Sequence, residues 1–202
     1  MLPMPLDEAH PLVLGSASPR RREMISWMGV PFVTRSADID ESTRPGELPL
    51  AYLERVTGAK LDAVRRLGLG GAGGVLVADT IVVAPGGAIL GKPRDDAEAA
   101  AMIERLAGAT HEVSTRFALG EASPTAPVAF ARTVTTRVTF RAVGAQEAAA
   151  YAATGEGRDK AGAYAVQGRA SAFIERLEGS YTSVVGLPLS EVIVAMRELR
   201  WM

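Results

Sequence analysis

The segment from Leu12 to Arg21 constrains this chain more than any other stretch. Leu12-Val13-Leu14 is a short apolar run of the kind a buried strand carries. It meets Gly15-Ser16-Ala17-Ser18-Pro19, and a helix begins there. Ser18 suits an N-cap, and Pro19 suits the first helical position, where a missing N–H has no cost. Met24, Ile25 and Met28 recur at helical spacing and Gly29 ends the run. A helix that starts at the end of a strand aims its free N–H groups out of the sheet edge, which attracts anions. Ser16 and Ser18 add hydroxyl donors. Arg20, Arg21 and Arg22 add charge, and a guanidinium grips phosphate through paired hydrogen bonds. Positive charge at a helix start opposes the helix dipole, so without an anion this arrangement costs stability. A strand-to-helix anion site is therefore the better reading than a solvated basic helix end; Arg22 is the arginine expected to be solvated.

Further along, Pro31 to Arg35 reads as a strand. Asp38 to Gly46 is polar and acidic, and an amphipathic helix runs from about Leu48 to Leu67 with Leu53, Val56, Lys60 and Val64 along one side. Val75 to Val83 is a buried strand carrying Asp79-Thr80. Pro85-Gly86-Gly87 turns it back through Ile89-Leu90. A helix capped by Asp95 or Asp96 runs to Leu106, and Val113 to Leu119 is a strand. From Phe130 to Phe140 apolar and polar residues alternate, as in a strand with one solvated face. A helix over Gln146 to Ala153 is followed by expected short strands at Tyr164–Gln167, Ala172–Ile174 and Tyr181–Val185, and Ser190 opens a last helix. The pattern is α/β with a mixed sheet.

Composition narrows the function classes. The 202 residues, 48% of them hydrophobic, suffice for a core without staples, as one domain of residues 1–202 or as two small lobes. Lys plus Arg number 22 against 23 Asp plus Glu, which argues against a broad basic face for duplex nucleic acid. The absence of cysteine removes disulfides, thiol nucleophiles and Cys-based zinc sites, and fits a reducing compartment, the cytoplasm. No apolar run reaches about 18 residues, so no membrane span is expected. Residues 1–11 carry Asp7 and Glu8 without a basic start, and read as an extension rather than a signal peptide. Of the two histidines, His111 follows a helix end and reads as a capping or core-edge residue rather than a catalytic base.

Two motifs match by letter and fail by context. Gly68 to Gly73 spells G-x-G-x-x-G, but a helix precedes it and a strand follows, the reverse of a dinucleotide site. Gly86 to Lys92 spells the start of a P-loop, but Pro93 stands where the magnesium-binding hydroxyl is needed. Lys92 remains an interesting cation. Asp79, at the mouth of a strand, suits a metal ligand or a base. Taken alone, Glu41 looks like ordinary loop acid and Lys60 like a snorkelling surface lysine. Lys160 follows a polar turn.

Gly15-Ser16-Ala17-Ser18-Pro19-Arg20-Arg21, Ala78-Asp79-Thr80, Gly91-Lys92-Pro93, Leu106 to His111, Thr154-Gly155-Glu156, Asp159 to Tyr164, Gln167-Gly168 and Gly179-Ser180-Tyr181 through Leu189 occur in one order. In that order they resemble the Maf family of nucleotide pyrophosphatases, from about Leu12 to Leu199. The resemblance implies hydrolysis of a nucleoside triphosphate to monophosphate and pyrophosphate with magnesium or manganese. It also implies a mixed central sheet flanked by helices, two lobes around a deep cleft similar to the inosine-triphosphate pyrophosphatase architecture, and often a homodimer. By position it makes Asp79 the proton acceptor, Lys60 and Lys92 catalytic lysines, and Ser16, Arg21, Glu156 and Lys160 substrate contacts. Glu41 joins Asp79 as a metal carboxylate. Arg20, Thr80 and Gln167 match positions that separate subfamilies, and their combination resembles the branch acting on dTTP and UTP. A 7-methyl-GTP or modified-pyrimidine pyrophosphatase is the alternative within enzymology. A non-catalytic nucleotide-binding regulator of septation is the alternative outside it.

Overall fold

The computed structural model describes residues 5–202. Its elements are β1 (Leu12–Leu14), α1 (Pro19–Ser26), β2 (Phe32–Thr34), α2 (Pro49–Arg65), β3 (Gly74–Val83), β4 (Ile89–Leu90) and α3 (Asp96–Leu106). Then come β5 (Thr110–Gly120), β6 (Val128–Phe140), α4 (Ala145–Ala152), short 3-10 turns at Ala161–Ala163 and Arg169–Phe173, β7 (Ile174–Glu178), α5 (Tyr181–Val185) and α6 (Leu189–Glu198). The described strands form one seven-stranded mixed sheet in the order β2-β1-β3-β5-β6-β7, with β4 paired to β3. β1 is parallel to both neighbours, and Leu14 faces Thr34 on β2 and Leu76 on β3. β4 and β7 run antiparallel to β3 and β6. The α/β class and the mixed sheet are as the sequence led one to expect.

The chain divides into two compact units, and β3, β5 and β6 pass through both. The first unit holds the chain up to Asp79, Thr115–Thr133 and Gly186–Met202; the second holds Thr80–Ser114 and Val134–Val185.

In the first unit, α2 turns Leu61 and Val64 onto Val13, Val75, Val77 and Ala118. Gly15 lets the end of β1 lie against this layer. A Cβ there would sit 2.7 Å from a Val77 methyl and 2.9 Å from a Val64 methyl. Arg65, at the last turn of α2, is 2% exposed. It donates to three main-chain carbonyls of the β5–β6 loop, those of Glu121 (2.8 Å), Ala126 (3.0 Å) and Pro127 (3.1 Å). Residues 1–4 of the expected extension lie outside the described residues. Within the rest, Leu6 is buried and its N–H donates to the Trp201 carbonyl at 3.0 Å.

In the second unit, Val82, Leu90, Ile103, Leu106, Val138, Phe140, Tyr151, Tyr164 and Phe173 form the core. His111 belongs to it. The ring is 1% exposed, its Nε2 lies 2.8 Å from the Tyr164 hydroxyl, and it meets Phe140 edge-on. Burial pushes its pKa down to about 4, so the imidazole is neutral at physiological pH.

Three local expectations fail: of Ala172–Ile174, expected as a strand, Ala172 and Phe173 end a 3-10 turn and only Ile174 enters β7. Tyr181–Val185 is a helix, not a strand: the Ser180 hydroxyl accepts from the Ser183 N–H at 3.2 Å, a cap that outweighs the β-branched residues. Tyr164–Gln167 is not a strand either. The Gly168 N–H closes a turn onto the Ala165 carbonyl at 3.0 Å. The alternation in β6 holds from Val134 to Phe140, and buried Thr136 on the apolar side is satisfied by main-chain bonds to Ser180.

Candidate active site

The strand-to-helix junction is built as its residues dictate. Ser18 caps α1, its hydroxyl accepting from the Arg21 N–H at 3.4 Å. Ser16 is buried at the end of β1, and its hydroxyl oxygen accepts from the Ser18 N–H (3.2 Å) and from Arg21 Nη1 (3.4 Å). Arg21 Nε donates to the Gly186 carbonyl at 2.7 Å, which fixes the guanidinium beside Ser16. Burial lowers the Arg21 pKa, while the charges of Asp79 and Glu41 pull it back up. Arg20 follows Ser18 on the same turn and is half-buried. Arg22 is exposed to solvent yet lines a polar pocket with Ser16, Ser18, Thr34 and Ser36.

The second group in this unit comes from α2, β3 and the acidic loop between β2 and α2. Asp79 is 8% exposed. Its Oδ1 lies 2.5 Å from Lys60 Nζ, and the same ammonium lies 2.9 Å from Glu41 Oε1. Lys60 is therefore not a snorkelling surface lysine, and Glu41 is not an ordinary loop acid. The two carboxylates share one cation.

Two residues that sequence reasoning passed over hold this arrangement. The Tyr52 hydroxyl donates to the Glu41 carbonyl at 2.9 Å. Burial, with Asp79 and Glu41 adding to it, raises the phenol to about 12, so it remains a donor. Arg55 grips Glu47 through Nε (2.6 Å) and Nη2 (2.7 Å), and Nη2 also donates to the Ser42 carbonyl at 2.9 Å. The Arg55 hydrogen bond holds the Glu47 carboxyl down at about 2. A signal was available: Tyr52, Val56 and Lys60 recur at i, i+4, i+8, one face of α2.

Among the described residues, no three Asp, Glu or His side chains cluster as a protein-only metal cage. The donor set here is a pair of hard carboxylate oxygens, Glu41 and Asp79, close enough to share one ammonium. That pair suits magnesium or manganese, which are commonly held by one or two carboxylates, with water and substrate phosphate completing the shell. The residues fit such an ion when it arrives with a triphosphate.

In the second unit, Thr80 is half-buried in β3, next in sequence to Asp79, and Lys92 is exposed just after β4. Lys160 Nζ donates to the Glu156 carbonyl (2.6 Å) and lies 2.5 Å from Asp159 Oδ1. The carboxylate of Glu156 is fully engaged by its own chain. Oε1 accepts from the Arg169 N–H at 2.9 Å, and Oε2 accepts from the Tyr151 hydroxyl at 2.9 Å and the Ala170 N–H at 3.4 Å. Burial alone would raise the Glu156 pKa, but those donors outweigh it and the net shift is downward. Gln167 stands exposed on the turn beside it.

An α/β chain that sets a capped Ser-Arg junction and a two-carboxylate lysine site in one unit has the makings of a phosphate-handling hydrolase. Residues 11–199 match the Maf-like protein family, and the chain belongs to it. It is 50% identical over 193 residues to the dTTP/UTP pyrophosphatase of Hahella chejuensis (strain KCTC 2396), across 93% of this chain and 91% of that protein. The dTTP/UTP pyrophosphatase of Myxococcus xanthus (strain DK1622) is 46% identical over 185 residues, 92% of this chain and 90% of that protein. That of Geotalea uraniireducens (strain Rf4) is 44% identical over 188 residues, 93% and 94% respectively.

Proposed function

We propose that this protein hydrolyses dTTP and UTP to the nucleoside monophosphate and pyrophosphate. The observation that carries the reading is Lys60 Nζ held between Asp79 and Glu41, whose charges reach Arg21 on the capped start of α1 in the same unit. The relatives named dTTP/UTP pyrophosphatase support the choice of substrate.

Water attacks the α-phosphorus, the bond from that phosphorus to the bridging oxygen breaks, and pyrophosphate leaves with the electron pair. Asp79 takes the proton from the water; a carboxylate on a rigid strand suits that role. Lys60 neutralises oxygen charge that grows in the transition state. Ser16 and Arg21 bind phosphate, the hydroxyl by donating and the guanidinium by charge and paired N–H groups. From the second unit we assign Lys92 and Lys160 to phosphate charge. Arg20, Thr80 and Gln167 select the base, an amide being able to donate to and accept from a pyrimidine edge. Glu41 and Asp79 are the residues that would hold magnesium or manganese, which when bound supplies Lewis-acid charge and a more acidic water. A cytoplasmic homodimer belongs to the same reading, and light scattering tests the assembly.

A panel of nucleoside triphosphates, assayed for pyrophosphate with magnesium or manganese and again after chelation, tests the proposal. Pyrophosphate from dTTP and UTP, lost on chelation, is expected. Orthophosphate alone, or no turnover on any triphosphate, defeats it, and 7-methyl-GTP as the best substrate overturns the pyrimidine assignment.

A further inference from the structure

The turn Ala165-Val166-Gln167-Gly168 is clamped at both ends by one pair of side chains. The Tyr151 hydroxyl accepts from the Ala165 N–H at 3.2 Å, on the entering side. The same hydroxyl donates to Glu156 Oε2, and the Glu156 carboxylate accepts the N–H groups of Arg169 and Ala170 on the leaving side. Gly168 closes the turn, and a Cβ there would sit 2.3 Å from Glu156 Oε1, so the carboxylate packs directly against the main chain. Tyr151 is 5% exposed and anchored by Phe173, whose ring meets it edge-on at 5.2 Å. The one side chain that this braced turn leaves exposed between buried Val166 and half-buried Gly168 is that of Gln167.

A side-chain amide discriminates poorly when its backbone moves, because its donor and acceptor then meet the edge of a base at no fixed distance. Held on a fixed turn, it is presented from one place. The loop between Tyr151 and Glu156 is short, and Thr154 is itself tied to the Tyr151 carbonyl at 2.7 Å, so the two clamp residues move together. Every oxygen of the Glu156 carboxylate already has a protein donor, which argues against this residue as a substrate contact.

We infer that the Tyr151–Glu156 pair is a specificity-positioning device that fixes Gln167 against the nucleobase rather than part of the phosphate-binding set. The inference rests on the pyrimidine-triphosphate reading above. Glu156 acts through the main chain of Gly168, Arg169 and Ala170, and Tyr151 acts through Glu156 and Ala165. Loss of the clamp relaxes base choice; loss of a phosphate contact would slow all nucleotides alike.

The test uses full-length protein and compares kcat/KM for dTTP with that for dCTP and dGTP. In Glu156→Gln an amide N–H₂ replaces one acceptor, and the dTTP preference is expected to fall by about tenfold or more, the scale of one lost positioned hydrogen bond. Gln167→Ala is expected to give the same flattened preference, and Glu156→Gln combined with it to add nothing further. Tyr151→Phe, which keeps the buried ring, is expected to shift preference in the same direction and serves if Glu156→Gln fails to fold. An unchanged ratio with lower turnover on every nucleotide overturns the inference and leaves the proposed activity standing. No pyrophosphate release by the unmodified protein overturns both.

Discussion

Asp79→Asn separates chemistry from architecture at this site. The substitution keeps the shape of the side chain and removes its charge and its capacity to take a proton. The Asp79 side chain is 11% exposed and that of Lys60 15%, with 2.5 Å between the charged atoms. At an effective dielectric of about 20, attraction at that distance is roughly 7 kcal/mol before solvation is counted. Most of it is offset by the desolvation that the carboxylate suffers and the amide does not. The amide oxygen still accepts from Lys60, and Glu41, at 2.9 Å, still balances the ammonium. The net loss of stability is therefore about 1–3 kcal/mol, readable as a lower urea midpoint. Losing a positioned base costs about 10²–10⁴ in kcat. Binding of a non-hydrolysable dTTP analogue, followed by calorimetry, is expected to change by less than about tenfold, since one negative charge leaves the site. A folded variant with kcat within about tenfold of the parent refutes the base assignment. Binding lost in step with turnover refutes it in another way, by making Asp79 a substrate contact.

Three further outcomes follow from contacts described above. Tyr52→Phe, which removes only the donor to the Glu41 carbonyl, is expected to lower kcat by about tenfold at nearly unchanged Tm; in a Glu41→Gln background it is expected to add no loss, and an additive loss sinks the positioning argument. Arg65→Met strips three carbonyls of a charged donor, and because water can reach that surface loop the cost is about 3–5 kcal/mol rather than more; a urea midpoint equivalent to under about 1 kcal/mol counts against it. His111 titrates near 4 when folded against 6.5 in its ordinary state, so the unfolded chain takes up the proton first as pH falls. Its contribution is complete above about 6.5, is lost on acidification towards about 4, and amounts to roughly 3 kcal/mol; His111→Gln is expected to flatten that part of the stability–pH curve.

The parts of this molecule that could be read from the chain are those written locally. Ser18 and Pro19 mark the start of α1, and Asp95 caps α3 with its carboxylate on the Glu98 N–H, because caps act within three residues. Periodicity marks α2 and the inner half of β6 for the same reason. Lys60 shows the limit. Within α2 it looks like a surface lysine, and its meaning comes from Asp79, nineteen residues away, and from the loop carrying Glu41. Only the ordered set of motifs drew Lys60 and Glu41 into the site. Tyr181–Val185 reads as a short strand in the chain and becomes a helix once the Ser180 hydroxyl accepts from the Ser183 N–H. For Glu156 the resemblance supplies a substrate role, while its partners in the fold, the Tyr151 hydroxyl and the N–H groups of Arg169 and Ala170, leave no mark in the local sequence.

Arg65 makes its hydrogen bonds to this loop through main-chain oxygens, those of Glu121, Ala126 and Pro127. Those bonds do not depend on which side chains the loop displays, although the Glu121 charge adds to the attraction. The segment between β5 and β6 can therefore drift in sequence, or be rewritten by design, while its path stays anchored, provided that the arginine and the loop length are kept. A buried charge that is costly in isolation thus gives this fold a place where new surface chemistry can be tried without reopening the core.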